Sequence, residues 1–396
     1  MEISELTALL TREGLSLLDE LGPITSPADV TRAVSTLRAA GHSPELVSAV
    51  VGQARLRAKA RAKFGEFAER MLFTRAGLEQ ATRLPIAALH AGRLRRAGVT
   101  AVADLGCGIG GDSLAFAGAG LRVNAVDADE MTAAIAAYNL SVFGDDAQVR
   151  QGLAEESLPD DRSAAVWLDP ARRTAGHTET RRVAASDYSP SLDWAFDVAA
   201  SRPTGIKLGP GLDRELIPPH VEAQWVSDGG SVVELVLWSG ALAREAVRRA
   251  AVVVRDGEVH ELTAPADAED AEVRELGAFV HEPDGAVIRA RLIGEAARML
   301  DAGMLDPQIA YLTGDAAVTS PFVQSFRVRE VLSAHPKAIN QALRAHDVGR
   351  LEIKKRGMDI DPAVFRRKLT LKGSGEATLI LTRTPAGRIA ILADRV

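Results

Sequence analysis

The chain has 396 residues, a formal net charge of −6 and 46% hydrophobic residues. That length suits two or three domains with sizeable cores, and a single cysteine excludes a disulfide framework and a cysteine-rich metal site. The eight histidines show no metal-ligand spacing, no apolar run approaches the roughly 18 residues of a membrane span, and Glu2 and Glu5 argue against a secretory signal, so a reducing cytoplasm is the expected location.

The charge is unevenly spread. Gln53 to Arg96 carries a net of +8, and so does Pro321 to Val396, which leaves −22 for the rest. Basic segments flanking an acidic body suit a polyanion docking at the ends, and equally suit solvated helix faces.

Residues 1 to 52 read as helices punctuated by Pro23, Pro27 and Gly41, with short helices over Asp29 to Ala40 and Pro44 to Val51. Arg55, Arg57, Lys59, Arg61 and Lys63 follow on alternate residues. On a helix they spread around most of the surface, so they either grip phosphates or face solvent. Leu78-Glu-Gln-Ala-Thr82 comes next; its polar side chains either close over a ligand or form an ordinary helix start. Pro85 to Ala97 reads as a helix leading into the first strand.

Val102-Ala-Asp-Leu-Gly-Cys-Gly-Ile-Gly-Gly-Asp-Ser-Leu-Ala-Phe-Ala117 is a strand, a glycine turn and a helix, with Asp112 and Ser113 offering N-cap chemistry. Gly106, Gly108, Gly110 and Gly111 let the backbone approach a ligand closely. Gly106-x-Gly108-x-x-Gly111 satisfies the dinucleotide fingerprint. Asp104 argues the other way: a carboxylate there repels a pyrophosphate and suits a cationic ligand such as S-adenosylmethionine (SAM). Asp127, ending the next apolar run, can take ribose hydroxyls of either ligand, with Ala128 beside it.

Thr100 to Trp238 alternates β and α, with strands ending at Asp104, Asp127, Gln151, Asp169 and Leu208 and a helix over Asp129 to Leu140. This predicts an α/β fold with a doubly wound parallel sheet and ligands at its carboxyl end. Asp228-Gly-Gly230 signals a hairpin before Val232 to Trp238, and Asp256-Gly257 another within Ala251 to Val259. An acidic loop (Ala266 to Glu275), a helix (Ala286 to Asp301) and a strand (Phe322 to Leu332) follow. The end reads as helix His335 to His346, strand Arg350 to Lys355, helix Pro362 to Leu369 and two strands around Pro385-Ala-Gly387. The expected division is a helical region 1–96, a ligand-binding domain 97–240, a connecting α+β region 241–320 and a small α+β domain 321–396.

Asp104-x-Gly-x-Gly-x-Gly110 with the acid at 127 resembles the class I SAM-dependent methyltransferases. The resemblance implies a seven-stranded Rossmann-like sheet ending in the hairpin through Asp228-Gly-Gly230, which dinucleotide folds usually lack. It implies SAM held by Asp104, Gly106, Gly108, Gly110, Asp127 and Ala128, with Glu155 near the adenine amino group. Asp169-Pro170 falls at the reactive loop. Amino methyltransferases of nucleic acids carry Asp/Asn-Pro-Pro-aromatic there; the acid accepts from the target amine and the aromatic stacks on the base. Here Ala171 and Arg172 replace the second proline and the aromatic. Arg172 can stack on a base or clamp a phosphate, or simply pair with an acid. The catalytic candidates are therefore Asp169, Pro170 and Arg172. Cys107 sits in the turn on the cofactor side, which speaks against cytosine-C5 chemistry through a cysteine nucleophile. His177 and Arg181-Arg182 form a polar loop past Asp169, and Lys207 ends strand five, where it can face the pocket.

Gly110 to Ala117, Val126 to Asp129 and Tyr138 to Gly144 are similar to the core of cap-type guanine-N2 methyltransferases. A wider resemblance, to bacterial SAM methyltransferases ending in a THUMP-like domain, rests on Leu78-Glu-Gln-Ala-Thr82, Asp169-Pro-Ala-Arg-Arg173 and Glu352-Ile-Lys-Lys-Arg-Gly357. It implies an RNA substrate. The alternatives are a small-molecule methyltransferase, and a SAM-binding RNA module without catalysis.

Overall fold

The computed structural model describes residues 3–172 and 187–396. Arg173, His177, Arg181 and Arg182 lie outside the described residues. The chain forms two compact units, residues 1–207 with 238–242, and residues 208–237 with 243–396.

The first unit opens with α1 (Ile3–Leu9), α2 (Arg12–Leu21), α3 (Pro27–Ala39) and α4 (Pro44–Phe64). The basic run does not start a helix of its own. It continues α4, which Ser43 caps by accepting the Leu46 N–H and which spans 21 residues, Gly52 included. Nor are its cations uniformly exposed. Arg57 is buried, donating to Asp19 at 2.9 Å and the Met71 carbonyl at 3.0 Å. Lys63 Nζ donates to the carbonyls of Leu78, Glu79 and Ala81 at 2.7–2.8 Å. It thereby closes the C-terminal end of α5 (Arg75–Gln80), where helix carbonyls lack intrahelical donors.

After α6 (Leu84–Arg96) come β1 (Ala101–Leu105), α7 (Gly111–Gly118), β2 (Arg122–Asp127), α8 (Glu130–Leu140), β3 (Ala147–Gln151) and β4 (Ala165–Leu168). A two-residue pair, β5 (Ala171–Arg172) with β6 (Tyr188–Ser189), precedes α9 (Leu192–Ser201) and β7 (Thr204–Leu208). Strands β7, β4, β1, β2 and β3 lie side by side in that order, all parallel. Strands β4 and β7 are buried along their whole length, as strands covered on both faces must be. At Gly205 a Cβ would stand 2.5 Å from the Trp167 ring, so only glycine lets these strands pack over that indole. Trp167 meets His90, Phe116 and Trp238 at ring distances of 4.6–5.6 Å.

In the second unit β8 (Glu222–Asp228) and β9 (Ser231–Trp238, whose last residue belongs to the first unit) turn through Gly229 and Gly230, both at positive φ. β10 (Arg249–Arg255) and β11 (Glu258–Ala264) form the second hairpin, and β10 runs parallel to β8. The order is β11, β10, β8, β9, so this hairpin extends a sheet rather than bridging to a separate region. The helix expected over Ala286 to Asp301 is two: after β12 (Phe279–Pro283), α10 (Gly285–Arg289) and α11 (Ile293–Leu300) break at Arg291, whose φ is 58°. The carbonyl of Arg291 accepts from Ala268, a tertiary bond that local periodicity does not reveal.

The remaining elements are β13 (Gly303–Asp306), β14 (Ile309–Gly314), β15 (Val323–Ser333), α12 (Pro336–Ala345), β16 (Val348–Lys355), α13 (Pro362–Arg366), β17 (Gly375–Thr384) and β18 (Gly387–Arg395). Their sheet runs β13, β14, β12, β15, β18, β17, β16. Ile339, Leu343 and Phe365 of the two helices pack on Leu379 and Leu392. Tyr311, Phe326 and Ile391 belong to a second cluster.

Among the described residues no helix is long and apolar enough to cross a membrane, and no group of three His, Cys, Asp or Glu side chains could hold a metal ion.

Candidate cofactor and acceptor site

The first unit brings most of the residues singled out from the sequence to the carboxyl ends of β1, β2 and β4. The glycine turn follows β1. Gly106 and Cys107 both donate their N–H to the Val126 carbonyl, at 2.8 and 3.0 Å, which pins the turn to the end of β2. Gly106 has φ 93°, and a Cβ on it would come within 3.2 Å of the Asp169 carbonyl oxygen. The glycine turn and the loop after β4 are therefore in close approach. At Gly108, φ is 57° and the place of a Cβ is open space.

Asp104 is buried. Its Oδ2 accepts from the Ser113 hydroxyl at 2.5 Å, and its Oδ1 is buried with no hydrogen-bond partner. Burial pushes its carboxyl up to about 8, with the Ser113 hydrogen bond working the other way. The Asp127 carboxylate accepts from Gly108 N at 2.9 Å and Asp129 N at 3.0 Å. Burial raises its pKa and these two bonds oppose the rise. Ala128 is exposed beside it, and its carbonyl accepts from Gln151 at 3.3 Å. Glu155 is exposed on a short turn, Ala154–Glu156, after β3. Cys107 is buried, and burial, then Asp104 and Asp127, raise its thiol well above the ordinary value. A thiol held neutral is a poor nucleophile.

The first turn of α7 differs from its expected role. The helix N-cap is Gly110, without a side-chain cap. Asp112 and Ser113 turn inward instead. Asp112 Oδ1 pairs with His90 Nδ1 at 2.8 Å, and Oδ2 accepts from Thr82 Oγ1 at 2.9 Å and Lys207 Nζ at 3.0 Å. Burial pushes this carboxyl up, but Lys207 and His90 outweigh it and hold it well below the usual range. Lys207 also reaches Thr82 Oγ1 at 2.8 Å and Asp169 Oδ2 at 2.7 Å. Thr82, from the Leu78–Thr82 stretch, thus joins a buried polar network that ends on Asp169.

Pro170 is buried, whereas Arg172 is exposed on β5, opposite Tyr188. Asn139 of α8 holds the turn from behind: Oδ1 accepts from Leu72 N at 2.7 Å, and Nδ2 donates to the carbonyls of Leu72 at 3.0 Å and Ile109 at 2.9 Å.

His90 was the residue that sequence reading missed. Its partner lies 22 positions away, and its only local signal was a histidine among apolar neighbours in a helix.

The residues fit SAM. A buried carboxylate with an orphaned oxygen suits a cationic group. A turn with open space at Gly108 admits a ligand against the backbone.

These features suit a SAM-binding Rossmann-like site, and comparison with known proteins shows the family. The chain is 36% identical over 343 residues, 85% of this chain and 92% of the relative, to a protein of Mycobacterium tuberculosis (strain H37Rv) described as an S-adenosylmethionine-dependent methyltransferase. The counterpart in strain CDC 1551 matches to the same extent. The chain therefore belongs to the SAM-dependent methyltransferases. A crystal structure of a candidate methyltransferase from Porphyromonas gingivalis W83 shares the fold, with a TM-score of 0.73 and 20% identity over 94% of this chain and 99% of that one. The family model described as THUMP domain-like matches residues 323–395, and a domain of unknown function, DUF8688, matches residues 2–60.

Proposed function

We propose that this SAM-dependent methyltransferase acts in the cytoplasm on a base of RNA. The THUMP domain-like match over residues 323–395 carries the RNA part. Within that segment Lys355, Arg367, Lys368, Lys372 and Arg388 are exposed. None of the five has an ion pair among the described residues, unlike Lys354 and Arg395, which pair with Glu282 and Glu352 at 2.6 and 2.8 Å. Exposed unpaired cations on one small domain suit a phosphate backbone.

Bound SAM supplies a methyl group on a good leaving group. Asp104, the glycine turn and Asp127 hold it, with Glu155 at the adenine edge. Asp169, at the end of β4, accepts a hydrogen bond from the acceptor nitrogen and so aims the nitrogen lone pair at the methyl carbon. Pro170 fixes the loop, and Arg172 stands where a base or its phosphate arrives. The acceptor's N–H proton leaves to water once the new N–C bond has formed.

The test is transfer of radiolabelled methyl from SAM to total RNA from a strain lacking this gene, beside a nuclease-treated control. Label in intact RNA supports the reading. Label in a small-molecule fraction that survives nuclease moves the substrate to a metabolite. SAM binding without transfer to either leaves a non-catalytic RNA module. If all five cations contact phosphate, RNA affinity falls with a log–log salt slope of roughly −3.5 to −4.5.

A further inference from the structure

A cluster of buried charged and polar side chains, Lys207, Asp112, His90 and Thr82, ends on Asp169 and belongs to no step above. Lys207 sits near the end of β7, the neighbour of β4. Its ammonium has three N–H donors. Its acceptors include Asp112 Oδ2 at 3.0 Å, Thr82 Oγ1 at 2.8 Å and Asp169 Oδ2 at 2.7 Å.

A buried lysine needs one compensating anion. Asp112 supplies it, and His90 and Thr82 hold Asp112 in place. The link to Asp169 exceeds that need, because the Asp169 side chain is 38% exposed against 10% for Lys207. Asp169 also has two acidic neighbours: Asp104 of β1 and Asp127 of β2 each interact with it electrostatically. When ionised, both repel a negative charge on Asp169. A protonated carboxyl donates a hydrogen bond and loses one acceptor site. Lys63, with Arg83 beside it, interacts with Lys207 and is itself pushed down in pKa by burial and by these cations.

Resting on the reading of Asp169 as the group that orients the acceptor, we infer that Lys207 is its positioning residue. It holds Asp169 ionised and in one orientation against the acidic wall of the cofactor site, with Asp112, His90 and Thr82 as its anchor. The Leu78–Thr82 stretch then acts on the reactive loop through Lys207.

The test uses the full chain, labelled SAM and the same RNA, with kcat followed against pH for wild type, Lys207→Met and Lys207→Arg, and SAM affinity measured by calorimetry. Expected for Lys207→Met is SAM affinity within about threefold of wild type, kcat down about 100-fold at pH 7, and the acid limb of the profile moved up by about one pH unit. Lys207→Arg keeps the limb near its wild-type position. A Lys207→Met protein with a lower kcat but an unmoved limb overturns the proposal, since a purely structural role predicts that result. Full activity overturns it as well.

If Lys207→Met fails to fold, Lys207→Met with Asp112→Asn removes both buried charges, and the same shift is expected. If wild type transfers no methyl to RNA, the RNA reading falls and the proposal is judged separately, by carbon-13 NMR of labelled aspartate with Asp169→Asn for assignment. An Asp169 titration midpoint raised by about one pH unit in Lys207→Met supports it; an unmoved midpoint overturns it.

Discussion

Asp104 and Ser113 share a carboxylate–hydroxyl hydrogen bond of 2.5 Å, and the second Asp104 oxygen is buried with nothing to bond. The pair sits where β1 meets the first turn of α7, so the strand–turn–helix is itself the holder of the orphaned oxygen.

The first prediction is a proton release. Burial raises Asp104 from the ordinary 3.8 to about 8. Below that pH the ligand-free carboxyl is neutral, and a cationic ligand beside it favours the ionised form. SAM affinity should therefore rise between pH 6 and 9, with close to one proton released on binding at pH 7. Stability moves the opposite way. A folded-state pKa above the unfolded one gives stability that is fully present below 3.8 and lost as pH rises through about 8. Calorimetry in buffers of different ionisation enthalpy reads the proton. Asp104→Asn should flatten both trends, and an unchanged pH dependence in that variant contradicts the assignment.

Asn139→Ala should destabilise the protein strongly. It deletes three buried hydrogen bonds and leaves Leu72 N–H and two carbonyls, those of Leu72 and Ile109, without that partner. Each buried group stranded in this way costs roughly 1–3 kcal/mol, so a total of about 3–9 kcal/mol is expected from urea unfolding. A loss below about 1 kcal/mol would mean that water replaces the amide.

What could be read in advance follows from where each partner lies. The strand–turn–helix that carries Asp104 and the glycines, and the strand that ends at Asp127, were legible because their parts lie contiguously within 24 residues. The hairpin turns at Asp228-Gly-Gly230 and Asp256-Gly257 were legible because turn geometry demands glycine there. Asp112 was misread as a cap because its real partners, Thr82, His90 and Lys207, stand up to 95 positions away. Local spacing cannot distinguish a carboxylate that caps its own helix from one that turns inward. The break at Arg291 escaped for the same reason: its backbone is held by Ala268 rather than signalled by a glycine.

Gly205→Ala should cost stability without touching any charged group. The added carbon meets the Trp167 ring at 2.5 Å, with Trp238 at 2.8 Å behind it. Overpacking of this kind costs about 1–3 kcal/mol, readable as a lowered unfolding midpoint. An unchanged midpoint would mean that the indoles can shift, and the packing account of β4 on β7 would fail.

Cys107 should alkylate slowly. Its thiol is held neutral by burial and by Asp104 and Asp127. Iodoacetamide at pH 7.5 should modify it at least tenfold more slowly than a free cysteine, and SAM should slow it further. Rapid modification without SAM would contradict the buried, acid-walled turn.

The most direct measurement compares wild type with Asp169→Ala in the transfer of labelled methyl to RNA, with digestion to nucleosides. The account predicts one labelled nucleoside from wild type, a loss of at least about 100-fold in Asp169→Ala, which removes the acceptor oxygen, and equal SAM affinity in both. Undiminished transfer by Asp169→Ala, or label that appears only outside RNA, would contradict it.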